Sequence, residues 1–315
     1  MKHLALGIIM TTISLSAAPA VSSEKDEAAI KAIIQSVGTF ADTGNFEALE
    51  GLYTKKVTMD YTSLNGGEEE VKTAKDVMTQ WASMLPGFDA TRHDVRNIDV
   101  DIDGKNAVAT ADVIASHYIN DTLWQVSGNY RYKLQHKDDN WLITAHRFNL
   151  EDEKGSRDVF EQATKNAKKH PVSYIQRQQT QQAVTDFLTA LEDKDMEKLA
   201  SLWTDDAVQH MPYSPKEHPK RVSGKENIIE LYSQWPDVSK NADFTSELVF
   251  YPMIDPTTVF AEYRGSVDIV PTGRKYDQFY GGLFHTEDGK IKLFREYYDP
   301  KPFKYAFGLG EEEKK

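Results

Sequence analysis

The chain has 315 residues, 40% hydrophobic and 27% charged, which is enough apolar material for packed cores and excludes disorder across most of its length. Its formal net charge of −12 argues against a nucleic-acid partner, because phosphate binding needs a basic face that releases counterions. With no cysteine present, disulfides, thiol nucleophiles and thiolate metal sites are excluded.

The N-terminus, MKHLALGIIMTTISLSAAPA, joins a basic start at Lys2 to an apolar stretch from Leu4 to about Ala17, then Ala18 and Ala20 around Pro19. This pattern predicts a secretory signal peptide over residues 1–20 and a periplasmic or secreted mature protein. No later segment approaches the ~20 apolar residues of a spanning helix, so no membrane anchor is expected after cleavage.

A first domain is expected over 28–152. Helical spacing in Ile30, Ile33, Ile34 and Val37, then in Phe46, Leu49, Leu52 and Tyr53, predicts two helices. A short strand, VTMDY, follows, and then a third helix from about Lys72 to Met84. After GFDATRH (87–93), alternation of period two begins in NIDVDIDGKNAVATADVIASHYI and continues in LWQVSGNYRYKLQHKDDNWLITAHRFNL. Polar turns at Asp103-Gly104-Lys105 and Lys137 to Asn140 make these long antiparallel hairpins. Residues 153–177 read as a helical linker broken at Lys168-Lys169-His170-Pro171, and residues 301–315, ending in GEEEKK, as a tail.

A second domain, 178–300, repeats this order at an offset of 150 residues. FADTGNFEALEGLYTKKVTMDY overlays ALEDKDMEKLASLWTDDAVQHM, with Glu47, Leu49, Leu52 and Thr54 on Glu197, Leu199, Leu202 and Thr204. Tyr130 likewise meets Tyr280, and Asp138 meets Asp288. A helix from about Lys225 to Gln234 is introduced by Ser223-Gly224 as its cap. The expected fold is α+β: two tandem cone-shaped domains, each a curved antiparallel sheet wrapped around helices, packed sheet to sheet as an internal pseudo-dimer. Such a chain is expected to be a monomer in solution.

VTMDYTSLNGGEE with GFDATRH in the first half, and ALEDKDMEKLASLWTDDAV in the second, resemble the nuclear transport factor 2-like (cystatin-like) superfamily and its SnoaL-like members. The first half is most similar to the scytalone dehydratase branch. That resemblance implies two histidines flanking a substrate, an aspartate orienting one of them, and a tyrosine on the first strand that polarises a carbonyl through water. The matching residues are His93, His117, Asp42 and Tyr61; where the branch carries a second tyrosine, before the aspartate, this chain has Ala41. The second half resembles the SnoaL and phenazine-biosynthesis-like branch through TGRKYDQFYGGLFHTEDGKIKLFREYYDP. There the positions of the ketosteroid isomerase base and tyrosine are occupied by Met211 and Phe187.

His93 and His117 form a candidate acid-base pair, since neutral imidazole accepts a proton near its unperturbed pKa of ~6.5. Two buried imidazoles side by side disfavour both being charged, so at least one is expected to be neutral at pH 7. Asp42 either accepts from His117 or is a turn residue ahead of Gly44. Asp60 and Tyr61 point to opposite faces of one strand, and Tyr61 is assigned to the pocket. Trp81, Phe88, Trp124 and Tyr130 are assigned to its aromatic lining. In the second half His210, Arg295 and Tyr297 are the ligand candidates, with Glu262 and Glu296 beside them. In REYYDP, Arg295 and Tyr297 share one face and Glu296 and Tyr298 the other; a buried arginine would grip a ligand carboxylate, or make an interface ion pair.

No HxH or HExxH spacing and no phosphate-binding glycine loop occurs, so neither a metal nor a cofactor is expected. Two functions stay open: a cofactor-free dehydratase or isomerase acting on a small apolar, aromatic or cyclic molecule, and a non-catalytic protein that binds or sequesters such a molecule.

Overall fold

Ile30, Ile34, Val37 and Ala41 recur at helical spacing and are all buried, forming the core-facing stripe of α1 (Ala20–Thr43). The computed structural model describes residues 20–309. The predicted signal peptide, apart from its last residue, and the terminal GEEEKK lie outside the described residues. The chain divides into two units at Thr164 and Lys165.

In the first unit α1 ends where Gly44 takes a φ of 67°, and Asn45 caps α2 (Phe46–Glu50) by accepting the Ala48 amide. β1 (Tyr53–Asp60), α3 (Thr62–Asn65), β2 (Glu70–Thr73) and α4 (Ala74–Ala82) follow. Thr73 and Asp76 cap α4, each hydrogen-bonding to the other's end of the first turn. A 3-10 turn at Leu85–Gly87 leads into the long meander β3 (Ala90–Asp103), β4 (Asn106–Ile119), β5 (Thr122–Lys137) and β6 (Asn140–Gly155). The sheet order is β2-β1-β6-β5-β4-β3. Register shifts in the β3–β4 and β5–β6 pairs bend the sheet, and α1 packs on β3, β4 and β6.

The second unit repeats the plan. α5 (Val159–Lys169) straddles the division and α6 (Ser173–Asp193) replaces α1. Then come α7 (Met196–Ser201), β7 (Trp203–His210), β8 (Arg221–Ser223), α8 (Lys225–Tyr232), α9 (Trp235–Val238), β9 (Ser239–Asp243), β10 (Val249–Pro252), β11 (Thr258–Ile269), β12 (Arg274–Glu287), β13 (Lys290–Tyr297) and α10 (Pro300–Phe307). The sheet order is β10-β11-β12-β13-β7-β8, with β9 also on β11.

The repeat is visible in backbone conformation as well as in side chains. Gly44 and Lys194, 150 residues apart, both end a long helix with positive φ, and Asn45 and Asp195 both cap the helix that follows. Asp138-Asp139 and Asp288-Gly289 all have positive φ at the tips of equivalent two-residue hairpins.

Four expectations need correction. Each sheet is mixed rather than wholly antiparallel, because β1 runs parallel to β6 and β7 to β13. The chain leaves β1 through β2 and α4, so no tight hairpin ties its direction to the meander. β6 continues to Gly155, beyond the domain end expected at 152. Residues 300–307 are helix rather than tail: Asp299 caps α10, Phe303 and Phe307 pack on the second core four residues apart, and Gly308 ends the helix at φ 67°. Finally, the cap expected at Ser223-Gly224 narrows to Gly224, which holds the N-cap of α8 with φ 89° and no side-chain hydrogen bond.

Tyr132 is fully buried on β5, and its hydroxyl has no hydrogen-bond partner among the described residues. Tyr132→Phe is therefore expected to leave stability unchanged or raise it by about 1 kcal/mol, because it deletes an unpaired polar group and keeps the ring. Urea unfolding checks this; a loss above about 2 kcal/mol would mean that the hydroxyl is satisfied.

Candidate active site

Gly38 lets α1 approach β3 closely: a Cβ there would lie 2.9 Å from the Cβ of His93. One turn further along α1, Asp42 meets His93. Asp42 Oδ1 is 2.7 Å from His93 Nδ1, Oδ2 accepts the His93 backbone N–H at 2.7 Å, and Oδ1 also accepts from the Thr91 hydroxyl at 2.8 Å. Burial raises the Asp42 carboxyl, but hydrogen bonding and charge from His93, helped by Thr91, outweigh it and hold the group below the usual carboxylate range. A carboxylate only accepts, so the proton of the His93 ring sits on Nδ1 and Nε2 is left as the basic nitrogen.

Thr91 is the cross-strand partner of His117, so His93 and His117 sit diagonally on the same sheet face, with ring centroids 5.5 Å apart and planes at 87°. His117 is 4% exposed and enclosed by Phe88 at 4.9 Å, Trp124 at 5.1 Å and Phe160 at 6.2 Å. Its Nδ1 has no hydrogen-bond partner among the described residues. Burial, and then the charge of His93, lower its pKa to about 3. The two imidazoles are therefore unequal: His117 is neutral, while His93 is paired with a carboxylate.

A third histidine completes the group. His146 on β6 is 1% exposed, with Nδ1 3.0 Å from the Tyr53 hydroxyl and Nε2 3.3 Å from that of Tyr61. Burial and the charge of His93 lower its pKa to about 3, so one ring nitrogen donates and the other accepts. Tyr61 is also hydrogen-bonded to Tyr130, and burial pushes both hydroxyls up, which keeps them protonated donors. His93, His117, His146, Tyr61, Trp81 and Tyr130 line a cavity of about 600 Å³, and the exposed residues from Asn65 to Glu70 mark its mouth. Arg157 crosses toward that mouth, paired with Glu153 and donating to the Leu64 carbonyl at 3.1 Å.

The first-half expectations come together here with three differences. Asp42 contacts His93 and not His117. Tyr61 lies just past the end of β1, as the residue preceding α3. Phe88 backs His117 without lining the cavity, whereas Trp81, Trp124 and Tyr130 do line it. Ala41 also lines it, at the place where the resemblance implied a second tyrosine.

The second unit has its own cavity, of about 340 Å³, walled chiefly by aromatic side chains. Met211 and Phe187 line it, but His210, Arg295 and Tyr297 do not. Arg295 and His210 are cross-strand neighbours on the other face, and Tyr297 has its ring 6.1 Å from that of Tyr213. The cavity holds Glu296 and Tyr298 instead. A register shift in the β12–β13 pair between His285 and Thr286 leaves Lys292 as an extra residue, so buried Ile291 is followed inward by Phe294 and not by Leu293. That bulge reverses the parity that strict alternation gives. The same effect hid His146, since the shift opposite Thr144 puts Ile143 and His146 on one face. Glu262 accepts from Tyr251 at 3.0 Å on the surface. Among the described residues no group of three or more His, Asp or Glu is placed to hold a metal ion, and no helix is long and apolar enough to cross a membrane.

Each unit is thus an α+β domain whose bent sheet and helices enclose a cavity carrying titratable side chains, the architecture of nuclear transport factor 2-like domains. The chain belongs to the SnoaL-like family. Residues 23–147 match one SnoaL-like domain model and residues 184–294 a second. The chain is 35% identical over 122 residues to the uncharacterized protein YesE of Bacillus subtilis, covering 39% of this chain and 82% of that protein. It is 29% identical over 121 residues to the uncharacterized PhzA/B-like protein PA3332 of Pseudomonas aeruginosa, covering 38% and 84%. Among solved structures, the Kfla4162 protein of Kribbella flavida has 25% identity and a TM-score of 0.40, covering 42% of this chain and 95% of that one.

Proposed function

We propose that the first domain is a cofactor-free lyase or isomerase acting on a small aromatic or cyclic molecule. The observation that carries this reading is the Asp42–His93 pair opening onto a cavity of about 600 Å³ beside a neutral imidazole. His93 Nε2 takes a proton from a carbon next to a carbonyl, while the Tyr61–Tyr130–His146 network donates to the carbonyl oxygen as its charge grows. The imidazolium, stabilised by Asp42, returns that proton. Delivered to another carbon it completes an isomerisation; delivered to a departing hydroxyl, as the C–O bond breaks and C=C forms, it releases water. His117, too weakly basic to take the proton, positions the substrate oxygen through its ring N–H.

Proton abstraction has a direct assay. Incubating the protein in D2O with a panel of cyclic ketones and hydroxylated aromatics should give protein-dependent exchange of a C–H, read by NMR, that is absent in His93→Asn. Ala41 in the cavity wall favours a second reading, binding without turnover, because the tyrosine that would share a water with Tyr61 is missing. Saturable binding without exchange, elimination or isomerisation of any bound compound would establish that reading over the first.

Export belongs to the same proposal and is supported by the basic start, apolar stretch and small residues at Ala18 and Ala20. Mass spectrometry of protein made in a bacterial host should find a mature chain beginning near Val21. A chain retaining Met1 to Ala20 in the cytoplasm would refute it.

A further inference from the structure

Asp42 and Glu192, 150 residues apart, do the same job: Asp42 accepts the backbone N–H of His93, and Glu192 accepts those of Phe244 and Thr245. The second domain has therefore kept the carboxylate clamp and put Phe244 where the first has His93. At the same offset in sequence Glu296 falls on His146, while the strand register sets Phe294 opposite Gln209 where His146 stands opposite Met59, so Glu296 lies one inward position further along its strand. One cavity holds three histidines, and the other holds the carboxyl of Glu296 with Glu217 and His218 beside it.

Several observations describe what the second cavity lacks. No lysine or arginine lines it. The groups facing Glu296 are Gln209 on β7, which hydrogen-bonds to its carboxylate, Tyr263 on β11, Tyr276 and Tyr280 on β12, Tyr232 on α8 and Tyr298 just past its own strand. α6 and α10 contribute only apolar side chains such as Phe187 and Phe303. Glu217 and His218 stand in the loop between β7 and β8, where burial lowers the His218 pKa and keeps that ring neutral. Among the hydroxyls, Tyr276 and Tyr280 share one hydrogen bond of 2.6 Å, and Tyr232 donates to Gln209 Oε1 at 3.1 Å while accepting from its Nε2 at 2.8 Å. Glu296 accepts from Tyr263 at a long 3.3 Å.

We propose that the second cavity is a separate binding site for a small organic cation, a compact amine or quaternary ammonium, with Glu296 as its counter-ion and the tyrosine rings as its cage. A buried carboxylate without a cation is costly, and an aromatic wall presents its negative ring faces to a positive charge. An anionic ligand would meet no cation here. Burial raises the Glu296 pKa to about 7, and a bound cation draws the proton off it. The site should therefore fill as pH rises.

The test uses the full chain and choline, with its uncharged isostere 3,3-dimethylbutan-1-ol and the neutral ketone cyclohexanone as controls, by isothermal titration. Choline should bind more tightly than the alcohol, weaken about tenfold from pH 8 to pH 6 as Glu296 takes up its proton, and weaken at least tenfold at pH 8 in Glu296→Gln. The variant keeps the shape of the side chain, and an unchanged melting temperature would show that the cavity is intact. The wild-type pH series stands as a test without any variant. Equal binding of choline and the alcohol, binding of choline unaffected by Glu296→Gln, or no binding of choline at 10 mM would each overturn the proposal. So would tighter binding of cyclohexanone as pH falls, which would make Glu296 a hydrogen-bond donor to neutral ligands.

Discussion

His93→Asn is expected to lower turnover of the first domain's substrate by about 10²–10⁴-fold while the domain stays folded, the span that a positioned general base contributes. The fold should survive because asparagine opens no large apolar cavity and the His93 backbone N–H still bonds to Asp42. His117→Asn should behave differently. Its ring is neutral with a pKa of about 3, so it works as a hydrogen-bonding wall, and its loss should raise KM more than it lowers kcat. Asp42→Asn removes the charge that stabilises the imidazolium formed during turnover, so it should lower kcat with KM little changed. Side-by-side steady-state kinetics of the three variants separate these roles. Full activity in both His93→Asn and His117→Asn would remove the histidines from the chemistry.

Much of this site was legible because helices and hairpins print their periods in sequence. The stripe through Ile30, Ile34 and Val37 and the alternation before and after Gly104 gave the elements, and the offset of 150 residues gave their duplication. His93 and His117 were readable through the family resemblance and not through register, because a shift between Arg96 and Asp99 separates His93 from the turn at Gly104. What stayed hidden lies beyond bulges. In β13 the pattern after Ile291 points Arg295 and Tyr297 inward, and the extra residue at Lys292 turns Glu296 and Tyr298 inward instead. A bulge is one residue of irregular backbone with no composition of its own here, so alternation alone cannot reveal it. His146 was lost in the same way. The overlay at 150 residues held the missing clue, since Phe148 and Tyr298 are both aromatic two residues after His146 and Glu296, and aromatic side chains belong in the core. α10 escaped for another reason: its eight residues begin with Pro300 and include Lys301 and Lys304, so its apolar pair Phe303 and Phe307 reads as isolated.

Acidification is expected to destabilise the first domain and to stabilise the second. His117 and His146 are 4% and 1% exposed, and their folded pKa values of about 3 lie below the ordinary imidazole value of about 6.5. Above pH 6.5 neither group is protonated in either state, and they leave stability unchanged. Between pH 6.5 and 3 the unfolded chain takes up protons that the folded domain refuses, so stability falls throughout that window. At pH 4.5 the two histidines together would remove on the order of 5 kcal/mol, a large part of what an ordinary domain has. Glu296 has the opposite sign, because its folded pKa of about 7 lies above the ordinary glutamate value of about 4.5. The folded second domain holds this proton between pH 4.5 and 7 when the unfolded chain does not, so moving from pH 7 to 4.5 should restore about 3 kcal/mol through Glu296, offset in part by His218, whose lowered pKa acts with the sign of the first domain's histidines. Urea unfolding at pH 7.5 and 4.5, followed by hydrogen exchange resolved to each domain, measures both changes. The first domain should become the weaker of the two at pH 4.5, and Glu296→Gln should flatten the response of the second alone. A first-domain midpoint that does not move between these pH values would mean that His117 and His146 take up protons in the folded state, and the cavity would then hold charged imidazoles where the proposed chemistry requires neutral ones.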